Sequence, residues 1–414
     1  MYSKWQVSSN SFRSRYLLIV SSLTIIAIYT VYQIGSEFIS HQLMIELYSP
    51  NDTAKRAIVA KTCFLLTPEL ISNQSVEPMN FQSRNGNITL FEDIFAAEKQ
   101  PTLDRTIFFI ESSCVRNGLA ALNARQACAI ESAARWNPHR DIFVLFASQV
   151  GFSEELSSST MKSLRLYQNI YFRRINFRNY SMGTPAEKFF SKDTIFESEY
   201  LIETFSDLLR YLTLYRFGGI YLDTDSVVQQ NLDHLPANFA GKETGKFVAC
   251  GAIGLTSDGL GHKIAGIIIK TVCDNFNPKI WGNTGPDAIT LSLFKICNVT
   301  KVSEMKPEIC WRFNVLPEGA FYPIPYSQWE RYFDARFTSE VLQKSNKSIA
   351  VHFWNRLSSQ QPILKDFHNE TLIKMYLDRL NKTEKNQIPI GKTAYGVIAK
   401  RNCPRAYDSS GDLF

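Results

Sequence analysis

Residues 207–228 read DLLRYLTLYRFGGIYLDTDSVV, and this stretch decides how the chain is expected to fold. Its first half has apolar residues at helical spacing, namely Leu208, Leu209, Leu212 and Tyr215. The pair Gly218 and Gly219 would end that helix, and the apolar triplet 220–222 is typical of a buried strand. The stretch therefore predicts a helix that turns back onto a strand.

Two carboxylates follow this strand directly. Asp223 and Asp225 would project from the same side if the strand continued through them. Paired carboxylates suit a divalent cation, which in turn can hold a diphosphate. Asp207 and Arg210 share one face of the preceding helix, and the arginine could either pair with an aspartate or grip a phosphate. The alternative for the aspartate pair is a solvated turn without a ligand.

At these residues the chain resembles a known family. The D-x-x-R of 207–210 followed by F-G-G-I-Y-L-D-T-D at 217–225 is very similar to the α1,4-glycosyltransferases that contain a D-x-D sugar-binding region. Further similar segments occur in that family's order at 107–114, 125–134, 281–286, 317–325 and 351–355. The resemblance covers about residues 100–403. It implies an α/β, GT-A-like nucleotide-sugar-binding domain.

The resemblance also implies an activity. We expect a metal-dependent, retaining hexosyltransferase that moves galactose or an N-acetylhexosamine from a UDP-sugar to a galactose- or N-acetylgalactosamine-terminated glycan in α1,4 linkage. The acceptor would be a glycolipid of glycosphingolipid biosynthesis or a glycoprotein. The implied catalytic residues are Asp207, Arg210, Asp223 and Asp225. Mn²⁺ or Mg²⁺ would be held by Asp225, Asp223 and His352.

Two further groups of residues are expected to contact sugars. The donor-binding residues implied by the resemblance are Glu111, Ser112, Ser113, Arg210, Asp223 and Trp354. The acceptor- or sugar-binding residues implied are Trp281, Asn283, Gly285 and Pro286. These residues have plainer alternative roles, such as a strand-end turn for 111–113 or core packing for the aromatic residues. His352 could likewise have only a structural role.

The chain departs from the family at one position. Cys250 stands where the family commonly has an asparagine before Gly-Ala, and that asparagine would be expected near the sugar. The departure leaves the donor sugar open, and it keeps a second hypothesis open as well. That hypothesis is an inactive transferase homologue that acts as a lumenal sugar-binding protein.

Strand and helix patterns alternate from residue 105 onward. Candidate strands at 106–110, 141–146 and 170–177 and a candidate helix at 118–136 predict a mainly parallel sheet wrapped by helices. In such a sheet, ligands bind at the carboxyl ends of the strands. A further alternative is a haloacid-dehalogenase-type phosphatase, because residues 222–227 superficially fit its D-x-D pattern. This alternative is weak, since that motif would be expected near the start of the domain and Gly411-Asp412 is not followed by a second acidic residue.

Residues 16–34 are uncharged and long enough to cross a bilayer as one helix. A cleaved signal peptide is disfavoured, because the run is long and no small-x-small site follows. Basic residues precede the run and acidic residues follow it, which predicts a cytosolic amino terminus. The predicted organisation is a cytosolic tail at 1–15, a signal anchor at 16–34, a lumenal stem at 35–100, a catalytic domain at 101–403 and a C-terminal tail at 404–414, in the Golgi membrane as a single-pass type II protein.

Acceptor sequons and cysteines fall on the same side of this segment. The sequons begin at Asn51, Asn73, Asn87, Asn179, Asn298, Asn346, Asn369 and Asn381. All 8 cysteines also follow the segment, and their even number is compatible with disulfides in an oxidising compartment. The net charge of +6 is not concentrated in basic blocks, so no nucleic-acid partner is indicated.

Overall fold

The computed structural model describes residues 82–83, 86–113, 115, 118–359, 361, 363, 365, 369–371, 373–374, 392–411 and 414. The predicted cytosolic tail, the membrane anchor and most of the stem lie outside these residues. Within the described ranges, we find no helix that combines the length and apolar character needed to span a bilayer.

The strands of the described residues are β1 (Gln82–Ser83), β2 (Gly86–Asn87), β3 (Thr89–Leu90), β4 (Ile107–Glu111), β5 (Ile142–Phe146), β6 (Gly151–Phe152), β7 (Ile170–Arg174), β8 (Gly219–Leu222), β9 (Ser226–Val228), β10 (Phe239–Lys242), β11 (Val248–Leu255), β12 (Asn314–Leu316) and β13 (Ala350–His352). The α-helices are α1 (Ala124–Trp136), α2 (Ser159–Leu164), α3 (Phe177–Ser181), α4 (Glu187–Ser191), α5 (Leu201–Phe217), α6 (Gly259–Asn275), α7 (Pro286–Cys297), α8 (Thr338–Ser345), α9 (Asn355–Ser358), α10 (Ala394–Asn402) and α11 (Pro404–Ser409).

A seven-stranded sheet forms the centre, in the order β12-β10-β11-β8-β4-β5-β7. The pairs β12–β10, β8–β4, β4–β5 and β5–β7 are parallel, whereas β11 runs antiparallel to both of its neighbours. Every residue of β4, β5 and β8 is buried, as expected for strands covered on both faces. The predicted α/β class with a mixed, mainly parallel sheet is therefore confirmed.

The strand register decides which segments meet at the edge of the sheet. Phe108 of β4 lies opposite Tyr221 of the parallel β8, so the carboxyl ends of both strands reach the same edge. At that edge, Asp223 N donates to Gly251 O of β11 at 2.8 Å. A separate antiparallel pair, β13 with β9, places His352 opposite Ser226. Segments far apart in the chain thus converge just beyond β8.

The predicted local elements agree with the structure except at their ends. The strands near 106 and 141 are confirmed to within about one residue. The first helix begins at Ala124 rather than at 118, because Asn123 accepts from Gln126 N and Gln126 closes a capping box. The predicted strand 170–177 ends at Arg174, since Asn176 caps the short helix α3.

Packing continues past both predicted limits of the catalytic domain. At the amino-terminal side, Ile94 is fully buried and the Phe91 ring stacks on Phe172 with centroids 5.4 Å apart. At the carboxyl-terminal side, a disulfide between Cys128 and Cys403 joins α1 to the start of α11. The hydrophobic core of the described residues therefore reaches from the end of the predicted stem into the predicted C-terminal tail.

The buried carboxylate of Glu131 on α1 fixes α11 in place. Its Oε1 accepts from Tyr167 Oη at 2.6 Å and from Arg405 N at 3.0 Å, and its Oε2 accepts from Ala406 N at 2.6 Å. Two of these donors are backbone N–H groups of the first turn of α11, where an anionic side chain is favourable.

Candidate active site

The helix that carries Asp207 and Arg210 turns back onto β8 through two glycines, as predicted. Gly218 and Gly219 have φ values of 61° and 87°, in the region that other residues rarely adopt. A Cβ on Gly219 would lie 2.3 Å from Thr106 O, and one on Gly218 would lie 2.5 Å from Ser257 N. Glycine is therefore required at both positions by conformation and by space.

Asp223 and Asp225 lie in a turn rather than on a strand. The strand β8 ends at Leu222, and Ser226 N donates to Asp223 O at 3.0 Å to close the turn. The expectation that alternation along a continuing strand would align the two carboxylates is therefore wrong. The turn itself brings them together, and the chain then continues into β9, which pairs with β13.

The imidazole of His352 lies between the two carboxylates. Its Nε2 is 3.1 Å from Asp225 Oδ1 and 3.4 Å from Asp223 Oδ2. One ligand atom from each of the three residues lies within 4.8 Å of the other two. Two carboxylate oxygens and one imidazole nitrogen form a donor set that fits a divalent cation.

The charges of this group follow from its surroundings. Burial lowers the pKa of His352, but Asp225 and Asp223 more than compensate and raise it to about 10. Burial raises the pKa of Asp223, but Arg210 and His352 outweigh it and lower the value to about 2. Both pKa shifts favour an imidazolium at His352 beside an ionised Asp223.

Arg210 holds two carboxylates at once. Its guanidinium lies 3.0 Å from Asp207 Oδ1 and 3.1 Å from Asp223 Oδ1. It also donates to Cys250 O at 2.9 Å and to Ser206 Oγ at 3.0 Å. The side chain is only 6% exposed. The sequence left two roles open for Arg210. The structure shows its pairing with aspartates, and its contact with a phosphate stays a prediction.

Asp207 lies deeper than Asp223 and behaves differently. Burial raises its pKa more than Arg210 and Thr284 lower it. Its Oδ2 accepts from Thr284 Oγ1 at 2.8 Å. A Cβ on Gly285 would lie 2.8 Å from the same oxygen, so only glycine allows this backbone to approach so closely. Among the predicted acceptor residues, Gly285 is thus adjacent to the candidate catalytic group.

The other residues of that loop are placed less directly. Trp281 is 55% exposed, and Asn283 Oδ1 accepts from Asn277 N at 2.8 Å within the loop. Pro286 is the first residue of α7. Their acceptor-binding role stays a prediction. Sequence reasoning missed Thr284. Its position between the predicted residues Asn283 and Gly285 could have identified its hydroxyl as part of the site.

The predicted donor-binding residues at the end of β4 lie at the expected edge of the sheet. However, the Glu111 carboxylate accepts from Ser113 N at 2.8 Å and also from the Gln126 side chain. Ser112 Oγ donates to Ile202 O at 2.9 Å. Because these side chains are engaged within the protein, the structural alternative accounts for them, and their contact with a nucleotide stays a prediction.

Trp354 adopts a strained backbone conformation next to His352. Its φ of 55° and ψ of 48° lie in the left-handed region, which is unusual for a bulky residue. The two ring centroids are 4.4 Å apart. The turn directs Asn355 N to Asp225 Oδ2 at 2.8 Å. Sequence reasoning missed this backbone contact, which fixes the second carboxylate of the group.

The comparisons with known proteins agree with this site. Residues 257–380 match the alpha 1,4-glycosyltransferase conserved region, and residues 123–240 match the glycosyltransferase sugar-binding region containing the DXD motif. The chain is 30% identical to the lactosylceramide 4-alpha-galactosyltransferase of Homo sapiens, over 61% of this chain and 69% of that protein. It is 23% identical to the alpha-1,4-N-acetylglucosaminyltransferase of Homo sapiens, over 63% of this chain and 76% of that protein.

Two solved glycosyltransferase structures show weaker similarity. The PaToxG glycosyltransferase gives a TM-score of 0.37 at 16% identity, covering 76% of this chain and 90% of that chain. The galactosyltransferase LgtC with donor and acceptor sugar analogs gives a TM-score of 0.33 at 12% identity, covering 68% and 100%. Because these TM-scores are low, the family assignment rests on the sequence relatives.

The sequence relatives therefore define a glycosyltransferase. The chain belongs to the α1,4-glycosyltransferase family with a D-x-D sugar-binding region, as its sequence relatives establish. The phosphatase alternative is thereby set aside.

Proposed function

We propose that this protein is a metal-dependent, retaining transferase that moves galactose or an N-acetylhexosamine from a UDP-sugar to a galactose- or N-acetylgalactosamine-terminated glycan in α1,4 linkage. The observation that carries the proposal is the group of Asp223, Asp225 and His352 beside the buried pair of Arg210 and Asp207. The relatives named as a galactosyltransferase and an N-acetylglucosaminyltransferase support this range of donors. A GT-A-like domain and a glycosphingolipid acceptor are parts of the same proposal.

The residues of the chain divide the work of the reaction. A divalent cation held by Asp223, Asp225 and His352 would neutralise the charge that develops on the departing diphosphate. Arg210 keeps Asp223 ionised and in place. Asp207 would orient Arg210 or touch the donor sugar, and its carboxylate adjoins Thr284 and Gly285 of the loop that the resemblance implies to bind the acceptor or a sugar.

Retention of the anomeric configuration is what the resemblance to the family implies. The proposal assigns no carboxylate as a nucleophile, so retention would proceed by attack on the same face that the diphosphate leaves. The diphosphate oxygen would take the proton of the acceptor hydroxyl. The new glycosidic bond forms as the bond from the sugar to the diphosphate breaks.

The proposed location is the Golgi membrane, with one amino-terminal helix as anchor and the catalytic domain in the lumen. Supporting observations are the uncharged segment 16–34 and the exposure of the four sequon asparagines with described side chains, Asn179, Asn298, Asn346 and Asn369. The disulfides Cys128–Cys403 and Cys297–Cys310 are also typical of an oxidising compartment.

A second candidate function, a lumenal sugar-binding protein without turnover, is favoured only by Cys250. Its buried thiol lies 3.2 Å from Arg210 Nη1 and 3.8 Å from Asp207 Oδ1. A thiol offers weaker hydrogen bonds than the amide expected there. Replacement of Cys250 by asparagine tests this alternative, because it restores the amide in the same contact.

The deciding experiment measures UDP release by the full-length protein in detergent. UDP-galactose, UDP-N-acetylgalactosamine and UDP-N-acetylglucosamine are each combined with lactosylceramide and with an N-acetylgalactosamine-terminated acceptor. Release that needs one donor and one acceptor supports the transferase proposal and identifies both substrates. UDP binding without release from any pair, restored to turnover in Cys250→Asn, would instead support the sugar-binding alternative for the natural chain.

A further inference from the structure

Tyr322 is a buried tyrosine near the candidate metal group that has no role in the proposed mechanism. It follows the helical turn Glu318–Ala320 and is 3% exposed. Its ring centroid lies 5.4 Å from that of His352 and 5.6 Å from that of Trp354. The preceding carbonyl, Phe321 O, accepts from His352 N at 3.1 Å. Tyr322 is therefore held against the residues that flank the candidate metal group.

The hydroxyl of Tyr322 and the carboxylate of Asp223 both lie close to Gly251. A Cβ built on Gly251 would lie 3.1 Å from Tyr322 Oη and 2.5 Å from Asp223 Oδ2. Both oxygens thus face the same point on β11, where only a glycine fits. Asp223 Oδ2 is also 3.4 Å from His352 Nε2, so the hydroxyl lies near the carboxylate oxygen that belongs to the candidate metal group.

The hydroxyl has no hydrogen-bond partner among the described residues. A buried hydroxyl without a partner costs about 1–3 kcal/mol, so its retention calls for an explanation. Burial and the nearby carboxylates of Asp223, Glu243 and Asp225 raise its pKa, so the group stays protonated and can donate. Because the hydroxyl donates to none of these carboxylates, it is free to donate to an anionic or hydroxyl oxygen of a ligand.

We propose that Tyr322 Oη donates a hydrogen bond to an oxygen of the bound nucleotide sugar, and that Tyr322 is therefore a donor-substrate contact of the site. The inference rests on the proposed function, because it requires a nucleotide sugar beside Asp223. The acceptor oxygen belongs either to the diphosphate or to a hydroxyl of the transferred sugar.

The test replaces Tyr322 by phenylalanine, which keeps the ring and removes only the hydroxyl. Tyr332→Phe is the matched control, since Tyr332 is fully buried and its hydroxyl also has no hydrogen-bond partner among the described residues, but its ring packs on Phe353, with centroids 4.6 Å apart. Affinities of the full-length proteins for UDP and for UDP-sugars are measured by calorimetry with Mn²⁺ present. Mn²⁺ affinity alone and the thermal midpoint without ligand are measured in parallel.

We expect Tyr322→Phe to weaken UDP-sugar binding by about 10-fold, the loss of one hydrogen bond to a ligand. Mn²⁺ affinity should be unchanged, and the midpoint without ligand should stay the same or rise, because an unpaired buried hydroxyl has been removed. The control should change neither affinity. If the affinity for UDP falls as well, the acceptor is a phosphate oxygen. If only the affinity for UDP-sugars falls, the acceptor is a sugar hydroxyl.

The failures of the two proposals are distinguishable. If the wild-type protein binds UDP-sugars and Tyr322→Phe binds them equally well, the inference about Tyr322 is overturned and the proposed function stands. A lower affinity accompanied by a lower midpoint would also overturn it, because a structural role explains both. If the wild-type protein binds no UDP-sugar, the proposed function fails, and the inference fails with it.

Discussion

The ion pair between Asp207 and Arg210 should couple strongly, because both side chains are removed from water. Their exposed fractions are 10% and 6%, and the closest nitrogen and oxygen are 3.0 Å apart. Two unit charges about 4 Å apart interact by roughly 4 kcal/mol at an effective dielectric constant near 20, and the burial that raises the pKa of Asp207 offsets part of this energy. Arg210 also serves Asp223, so we assign about 2–3 kcal/mol of coupling to the Asp207 pair.

A double-mutant cycle measures this coupling. The variants are Asp207→Asn, Arg210→Met and the double variant, and the free energy of unfolding is obtained from equilibrium denaturation in urea with disulfides intact. Lys270 and Asp274 on α6 provide the matched control, since they form a helical ion pair at 2.9 Å with side chains 70% and 56% exposed. The control pair should couple by about 0.5 kcal/mol or less.

The result that refutes this reasoning is a coupling for Asp207 and Arg210 no larger than that of the exposed control pair. It would mean that the buried pair does not hold the site together. A second refutation would be an Arg210→Met variant that unfolds at the wild-type urea concentration, because removal of the arginine leaves two carboxylates without their shared cation and should cost about 3–5 kcal/mol.

Two further substitutions test other parts of the structure. Glu131→Gln should lower the free energy of unfolding by about 2–3 kcal/mol, because an amide would face backbone N–H groups of α11; urea denaturation measures this, and a cost no greater than that of Tyr167→Phe would contradict it. Gly285→Ala should reduce kcat/KM for the UDP-sugar by at least about 10-fold, because its Cβ would displace the Asp207 carboxylate. Gly319→Ala is the control, since a Cβ there would meet nothing within 4 Å; equal rates for the two alanine variants would contradict the close packing at residue 285.

Local sequence patterns were enough to predict the centre of the fold. The helical spacing before Gly218, the glycine break and the apolar triplet after it each depend on residues within a few positions of one another. The pairing of Asp207 with Arg210 follows from the same helix geometry. These features are predictable because the physical causes are local.

Contacts between distant segments could not be read from the pattern. His352 reaches Asp223 because β13 pairs with β9, and nothing in the periodicity of either strand selects that partner. Only the resemblance to a family indicated this residue. The arginine contact with Cys250 O likewise depends on how β11 lies beside β8.

The carboxylates of Asp223 and Asp225 lie close together, as the sequence predicted, but for a different geometric reason. The pair was expected to align by strand alternation, but a hydrogen bond from Ser226 N ends the strand and forms the turn. Asn355 N then fixes Asp225 from another segment. The candidate ligands were predicted from the sequence, whereas their arrangement depends on tertiary contacts.

The central claim is that Asp223, Asp225 and His352 hold a divalent cation on which sugar transfer depends. The most direct measurement is a Mn²⁺ titration of the full-length protein, followed by electron paramagnetic resonance and by UDP release, for the wild type, Asp225→Asn and the surface control Asp274→Asn. We expect one Mn²⁺ site in the wild type and control, weakened by at least about 100-fold in Asp225→Asn, with UDP release lost in parallel. Wild-type Mn²⁺ affinity in Asp225→Asn, or UDP release that persists in excess chelator, would contradict it.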